Sequence, residues 1–272
     1  MKNFQTELNV AIKTAKIAGE YVKRNKEKYE IQSFKKGIHN YATKQDLETE
    51  KIIIESIKSD FSNDSVFSEE TMNGLESEDR LWVIDPIDGT RNFANGLPYF
   101  SISIALFVED EVKVGVVYAP CYNDELYHAV KNEGAYLNSS EIVMRSPDQS
   151  LNETIVVTGF SYCKGAELIE PLKVYRNVFE EAIDVLRFGS AALDLCQVAT
   201  GRVGAYYEPS LKPWDVAAGK LILEESGGVV SDYTGEDLDI FSKVGDNFNV
   251  NIISAKNKTI HSKLTGLILG SD

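Results

Sequence analysis

The chain is expected to fold as an α+β protein in which helices and sheets alternate in layers across two packed halves. Three observations predict this. Up to about residue 145, two helix-like segments lead into apolar runs joined by short charged turns, an antiparallel pattern. Beyond about residue 152, strand-like and helix-like segments alternate. Between them lies the polar stretch Arg145 to Asn152, including Ser146-Pro147-Asp148, which is the best internal boundary. Two halves, 1–147 and 148–272, are therefore expected to form one compact unit.

In order, Leu8, Ala11, Ile12, Ala15, Ala18 and Val22 recur at helical spacing and predict an opening amphipathic helix. A second helix is expected from Thr43 through Ile57, because Thr43 and Asp46 have capping-box spacing ahead of Ile52-Ile53-Ile54. Ser65 to Ser68 and Leu81 to Ile84 read as short strands. Ser101 to Leu106 alternates as a half-buried strand would. The turn Glu109-Asp110-Glu111 then makes a hairpin with Val112 to Tyr118. Glu125 to Val130 and Ala135 to Leu137, split by Glu133-Gly134, continue the antiparallel theme. In the second half, strands are predicted at Thr154 to Thr158, Val185 to Arg187, Val203 to Tyr207, Val229 to Ser231 and Ile252-Ile253. Helices are predicted at Glu167 to Glu181, Ser190 to Ala199, Pro213 to Glu225 (closed by Gly227-Gly228) and Thr259 to Leu269.

Composition narrows the function. The chain has 272 residues, 43% of them hydrophobic, with 42 acidic and 28 basic side chains for a net charge of −14. That fraction suits a globular core, and the charge disfavours nucleic acid and anionic membrane surfaces as partners. A phosphorylated small molecule remains open if a divalent cation mediates. Cys121, Cys163 and Cys196 form neither a disulfide framework nor a CxxC motif, and His39, His128 and His261 lack metal-ligand spacing. Charges interrupt every apolar stretch of the first thirty residues, which predicts a soluble, reduced, cytoplasmic protein with no membrane span. Cys196 and the Tyr206-Tyr207 and Tyr99-Phe100 pairs are expected in the core or at an interface.

The chemistry concentrates in Leu81-Trp-Val-Ile-Asp85-Pro-Ile-Asp88-Gly89-Thr90. Here an apolar strand ends on a carboxylate, Pro86 breaks it, and a second carboxylate precedes a helix start. Two such carboxylates can share a hard cation, and a helix N-terminus suits a phosphate. Asp-Pro and Asp-Gly pairs also form ordinary turns. Glu69 and Glu70, after Phe67-Ser68, fit a solvated surface as well as a site. Asp215 in Lys212-Pro213-Trp214-Asp215 fits a first-turn acid, Asp46 a capping acid, and Glu208 the loop before Pro209.

Taken together, these blocks resemble the inositol monophosphatase family within the magnesium-dependent, lithium-sensitive sugar phosphatases and nucleotidases. The resemblance rests on Trp82 to Thr90, Ser68-Glu69-Glu70, Trp214 to Gly219, Glu224 to Gly228, Gly134 to Asn138 and Gly189 to Ala192, from about Thr43 to Gly228. It implies an α-β-α-β-α sandwich of the inositol monophosphatase and fructose-1,6-bisphosphatase type, with metals where the halves meet. It further implies that Glu69, Asp85, the carbonyl of Ile87, Asp88 and Asp215 hold two or three Mg²⁺. Asp85 would bridge two ions, with Glu69 and Ile87 serving one and Asp88 and Asp215 the other. Asp46 and Thr90 would orient and deprotonate the attacking water, with Glu69 near a weakly held third ion. Gly89 and Thr90 would offer N–H groups to the phosphate, and Gly189, Ser190, Ala191 and Glu208 would contact the alcohol portion.

The implied reaction is hydrolysis of a phosphate monoester, inositol 1-phosphate first. Fructose 1,6-bisphosphate, 3′-phosphoadenosine 5′-phosphate, NADP and histidinol phosphate are alternatives on the same site. Homodimers are usual in the family. A binding or regulatory protein working with transcription or RNA-processing machinery is the competing class. Retention of all five ligands and the acidic balance argue against that class. Two departures stand out. Ala42 replaces the valine common before Thr43, a conservative change. Only 15 residues separate Glu69 from Asp85, so a short loop through Met72-Asn73-Gly74 is expected to leave the cleft open to bulkier substrates. Arg91, beside Thr90, fits either a charge near the substrate or an exposed surface arginine.

Overall fold

A computed structural model describes residues 3–26, 30–34, 41–71, 79–144, 148–160, 165–245 and 247–270. The Met72-Asn73-Gly74 loop, His39, Cys163 and residues 145–147 of the polar boundary lie outside them.

The first half comprises α1 (Gln5–Asn25), β1 (Ile31–Phe34), β2 (Tyr41–Thr43), α2 (Lys44–Asp60), β3 (Ser65–Ser68), β4 (Arg80–Asp88), α3 (Thr90–Ala94), β5 (Ser101–Val108), β6 (Glu111–Ala119), β7 (Glu125–Val130), β8 (Ala135–Leu137) and β9 (Ser140–Glu141). Strands β3 to β9 pair in sequence order as a seven-stranded sheet, antiparallel except for the parallel pair β3–β4. The short β1–β2 ribbon was not anticipated from the sequence.

The second half comprises β10 (Ile155–Thr158), α4 (Ile169–Glu181), β11 (Asp184–Leu186), α5 (Ala191–Ala199), β12 (Ala205–Leu211), α6 (Pro213–Glu225), β13 (Val229–Ser231), β14 (Lys243–Val244), β15 (Asn247–Phe248), β16 (Val250–Ala255) and α7 (Lys258–Leu269). Its five-stranded sheet runs in the order β11-β10-β12-β16-β13.

Three apolar seams stack these elements. Leu8, Ala11 and Ala15 of α1 and Ile53 and Ile57 of α2 pack on Trp82, Ile84, Ile102 and Ile104 of one sheet face. The other face, through Leu81, Val83, Val117 and Tyr127, meets the α5–α6 layer, which in turn covers Val157, Tyr206 and Ile252 of the second sheet. Val156, Tyr207 and Ile253 close against Val178 of α4 and Ile260 and Leu264 of α7. The order is therefore α-β-α-β-α, as expected. The middle helical layer is almost wholly buried, and α5 has all nine residues inside. Gly115 lets α6 approach, since a Cβ there would lie 2.8 Å from the Ala218 carbonyl.

Three expectations need correction. Ser101–Leu106 is buried on both faces, because helical layers cover the sheet on each side; the alternation of serines marks polar contacts, not solvent. Pro86 does not end its strand. β3 pairs only as far as Ile84, so the missing N–H of Pro86 interrupts nothing on that side, and the register against β5 shifts between Asp85 and Asp88. Glu208 likewise does not precede a loop. β12 continues through Pro209 to Leu211 with a register shift against β16 beyond Glu208, because its pairing with β10 stops at Tyr207. Cys196, Tyr206 and Tyr207 are in the core as expected.

Candidate functional site

The irregular end of β4 creates the site. Strand pairing holds Asp85 opposite Ser103, and after the register shift Asp88 comes opposite Ser101. The first turn of α6, with Pro213 in its first turn, brings Asp215 to the same place. Oxygen atoms of Asp85, Asp88 and Asp215 all lie within 4.8 Å of one another.

Each carboxylate is held by hydrogen bonds, Asp85 and Asp215 from neighbours in the chain and Asp88 from a distant helix. The Ile87 N–H donates to Asp85 Oδ1 at 3.0 Å, folding the Asp-Pro-Ile turn back on its own side chain. Asp88 sits at the N-terminus of α5, accepting from Ser190 Oγ at 2.6 Å, the Ala192 N–H at 2.8 Å and the Ala191 N–H at 3.3 Å. The Lys212 N–H donates to Asp215 Oδ2 at 2.7 Å, so the first-turn role and the site role coexist in one residue. Asp46 does cap α2 as the spacing predicts, accepting from the Thr43 N–H at 2.7 Å and from the Thr43 hydroxyl. Its other oxygen accepts from Thr90 Oγ1 at 3.1 Å, a hydroxyl also 3.1 Å from the Ile87 carbonyl.

The electrostatics point one way. Burial, opposed by its three donors and aided by Glu69, pushes the Asp88 carboxyl up. Burial, Asp88 and Glu69 push Asp215 well above the usual carboxylate range. Burial raises Asp46 to about 6, with Glu69 adding to the rise and the Thr43 and Thr90 hydroxyls opposing it. Glu69, partly buried just beyond β3, thus acts on Asp46, Asp88 and Asp215 together. Acids crowded in a low-dielectric site repel one another and need a positive charge among them. An all-oxygen donor set fits a hard divalent cation such as Mg²⁺.

Gly89 and Gly189 meet across the junction of the halves. Gly89 has φ +96°, and a Cβ there would lie 3.0 Å from the Gly189 carbonyl oxygen, so any side chain would be strained by conformation and crowded by that backbone. Thr90 begins α3, where first-turn N–H groups have no intrahelical acceptor. On the far side, Tyr206 OH donates to Glu208 Oε2 at 2.8 Å, and burial raises Glu208 to about 7. Glu208 also acts on Asp194 and Asp215. Asp85, Asp88 and Asp215 thus cluster, hydrogen bonds join Thr90 to Asp46 and Ser190 and Ala191 to Asp88, and Glu69 and Glu208 both act on Asp215; Arg91 is exposed.

Four supporting residues were not identified from the sequence. Asn92 Nδ2 bridges the halves, donating to the carbonyls of Tyr99 at 2.6 Å and Phe188 at 2.7 Å. Asp194, buried in α5 and raised well above its usual range mainly by burial, accepts from Tyr99 OH at 2.7 Å. Ser101 Oγ lies 3.1 Å from Ser190 Oγ beside Asp88. Gly159 leaves room for Glu208, whose carboxylate would lie 1.7 Å from a Cβ at that position. Only the pairing of distant segments reveals these roles; an Asn or Gly has no local signal for them.

Comparison with known proteins agrees with the geometry. The model described as Inositol monophosphatase family matches residues 3–268. Nus factor SuhB of Haemophilus influenzae is 43% identical over 229 residues, covering 83% of this chain and 85% of the relative. The crystal structure of extragenic suppressor protein suhB from Bartonella henselae superposes with a TM-score of 0.86 at 34% identity, covering 97% of this chain and 98% of that one. An IMPase from Thermotoga maritima superposes with a TM-score of 0.86 at 33% identity, covering 97% of each chain.

Proposed function

The chain belongs to the inositol monophosphatase family, and from that premise we propose that it hydrolyses a small phosphate monoester, inositol 1-phosphate first among candidates, with Mg²⁺ at the acidic cluster. The observation that carries this reading is the convergence of Asp85, Asp88 and Asp215 within 4.8 Å, next to a hydrogen-bonded Thr90–Asp46 pair. Asp85 would hold two ions at once, Glu69 and the Ile87 carbonyl would complete one position, and Asp88 with Asp215 the other. When bound, two or three Mg²⁺ ions supply positive charge for the phosphate dianion and acidify water.

The remaining work falls to side chains. Thr90 can accept a proton from the attacking water while passing its own to Asp46 Oδ1. Asp46, raised to about 6, is ionised at pH 8 yet basic enough to take that proton. The Gly89 and Thr90 N–H groups would orient the phosphate, and Gly189, Ser190, Ala191 and Glu208 the hydroxyls of the alcohol. Fructose 1,6-bisphosphate, 3′-phosphoadenosine 5′-phosphate, NADP and histidinol phosphate remain alternative substrates of the same chemistry. The name Nus factor, carried by a relative 43% identical, supports a second reading as a binding protein. The Thr90–Asp46 hydrogen bond beside three clustered acids favours the enzyme reading over it. Thr90→Ala and Asp46→Asn should each lower kcat by about 10²-fold or more while leaving Mg²⁺ affinity within a few fold. Retained kcat in both variants would refute the relay.

A further inference from the structure

Glu50 is a buried carboxylate with no part in the ligand set or in the Thr90–Asp46 pair. It lies on α2 four residues after Asp46, and Asp46, Thr49, Glu50, Ile53 and Ile57 form the buried face of that helix. Ile53 and Ile57 pack into the first apolar seam. Asp46 and Glu50 occupy the N-terminal turns of the same face, about 6 Å apart along the axis. Glu50 is 2% exposed, and among the described residues no basic side chain pairs with it.

Glu50 reaches instead to backbone. Its Oε2 accepts the Glu70 N–H at 2.8 Å. Among the described residues β3 is an edge strand, paired with β4 on one side alone. Glu69 follows β3 directly, and its N–H still reaches the Ile84 carbonyl of β4 at 3.2 Å. Successive N–H groups along an extended chain point to opposite sides, so the Glu70 N–H faces the edge, where the β3–β4 ladder supplies no acceptor. A buried donor needs one, and Glu50 provides it from α2. Glu69 is thus pinned on both sides, through its own N–H by β4 and through the next N–H by α2. A contact of 2.9 Å between Ser68 Oγ and Thr71 Oγ1 closes the turn. Because Glu69 acts on Asp46, Asp88 and Asp215, its placement bears on the whole cluster.

We propose that Glu50 is a positioning residue for Glu69: by holding the Glu70 N–H it fixes the turn that presents the Glu69 carboxylate to a divalent cation. This role rests on the Mg²⁺ site proposed above. It makes α2 the common mount of Asp46 and of the Glu69 turn, so that one helix sets the spacing between the proton acceptor and a metal position.

The test is calorimetric titration of Mg²⁺ alone into the full chain, for wild type, Glu50→Ala, Glu50→Gln, Glu69→Ala and the double variant Glu50→Ala/Glu69→Ala, with folding verified by circular dichroism. Glu50→Ala should weaken Mg²⁺ binding about tenfold or more. Glu50→Gln keeps an acceptor for the Glu70 N–H and should restore affinity to within a few fold of wild type. In Glu69→Ala the ion held by Asp88 and Asp215 remains to be measured, and there Glu50→Ala should cost nothing further, because the carboxylate it positions is gone. A merely structural role would not depend on Glu69 in this way. If Glu50→Ala does not fold, Glu50→Asp, one methylene too short to reach the Glu70 N–H, carries the same comparison. Wild type that binds Mg²⁺ no better than folded Glu50→Ala or Glu50→Asp would overturn the proposal. So would a loss equally large with and without Glu69, or a Gln variant as weak as the Ala variant. Wild type that binds no Mg²⁺ would overturn the metal site itself, and this role with it.

Discussion

Replacing Glu208 with Gln should make the metal-free protein more stable at pH 8 while weakening it as an enzyme. Burial raises the Glu208 carboxyl from the ordinary 4.5 to about 7, with Asp88 adding to the rise and Tyr206 OH opposing it. At pH 8 the group is forced into an ionised form that the fold disfavours. At about 1.4 kcal/mol for each pH unit of that displacement the full cost would be about 3 kcal/mol, and partial contact with water in the cleft reduces it to about 2 kcal/mol. The sign follows from linkage. A carboxyl whose folded value is raised stabilises fully below its unfolded value, and that stability is lost as pH rises through the folded value. The wild type should therefore lose stability between about pH 4.5 and 7, and Glu208→Gln should lose about 2 kcal/mol less over that window. Gln keeps an acceptor for Tyr206 OH, so little else changes. Urea unfolding in EDTA at pH 5 and pH 8 reads the difference directly, and thermal unfolding at pH 8 should shift up by about 3–4 °C. Gly159→Ala gives an independent check, since its Cβ would displace the same carboxylate into solvent and flatten the same pH dependence. A Glu208→Gln protein less stable than wild type at pH 8 in EDTA, or with an unchanged pH slope, would refute the reasoning.

Two further outcomes follow from the same geometry. Ser190→Ala removes the 2.6 Å hydrogen bond to Asp88 and should weaken Mg²⁺ binding about tenfold or more by calorimetry; unchanged affinity would mean that Ser190 does not hold Asp88 in place. Arg202→Ala strips the buried Glu125 of a bidentate partner at 2.8 Å on each oxygen and should cost about 2 kcal/mol of stability with Mg²⁺ affinity unchanged; loss of metal binding would show that this pair also shapes the cleft.

Local chemistry was legible in the sequence, and long-range geometry was not. The Thr43–Asp46 capping box and the helix Pro213–Glu225 rest on neighbours a few residues apart, and both formed as read. The α-β-α-β-α layering followed once the resemblance was recognised. Strand continuation past Pro86 and Pro209 depended on where β3 and β10 stop pairing, which neither proline's own neighbourhood records. The serines of Ser101–Leu106 alternate as a solvent face would, and only the helical layer above them, with Ser103 donating to the Trp214 carbonyl, makes them interior. Asn92 joins segments 96 residues apart, and Gly159 matters only because Glu208 arrives beside it. Within the candidate site, the acids are legible because Asp85 and Glu69 follow apolar strands and Asp46 and Asp215 sit in first helical turns; the residues that orient them carry no such local signal.

The account rests on the acidic cluster being a divalent-metal site for phosphate hydrolysis. The most direct test is phosphate release from inositol 1-phosphate, assayed beside the four alternative substrates, in Mg²⁺ and in EDTA, for wild type and Asp88→Asn. The predicted result is release by the wild type in Mg²⁺ alone, and loss by at least about 10²-fold in the variant. Folded, Mg²⁺-supplied wild type that turns over none of the five, or release that persists undiminished in EDTA or in Asp88→Asn, would contradict it.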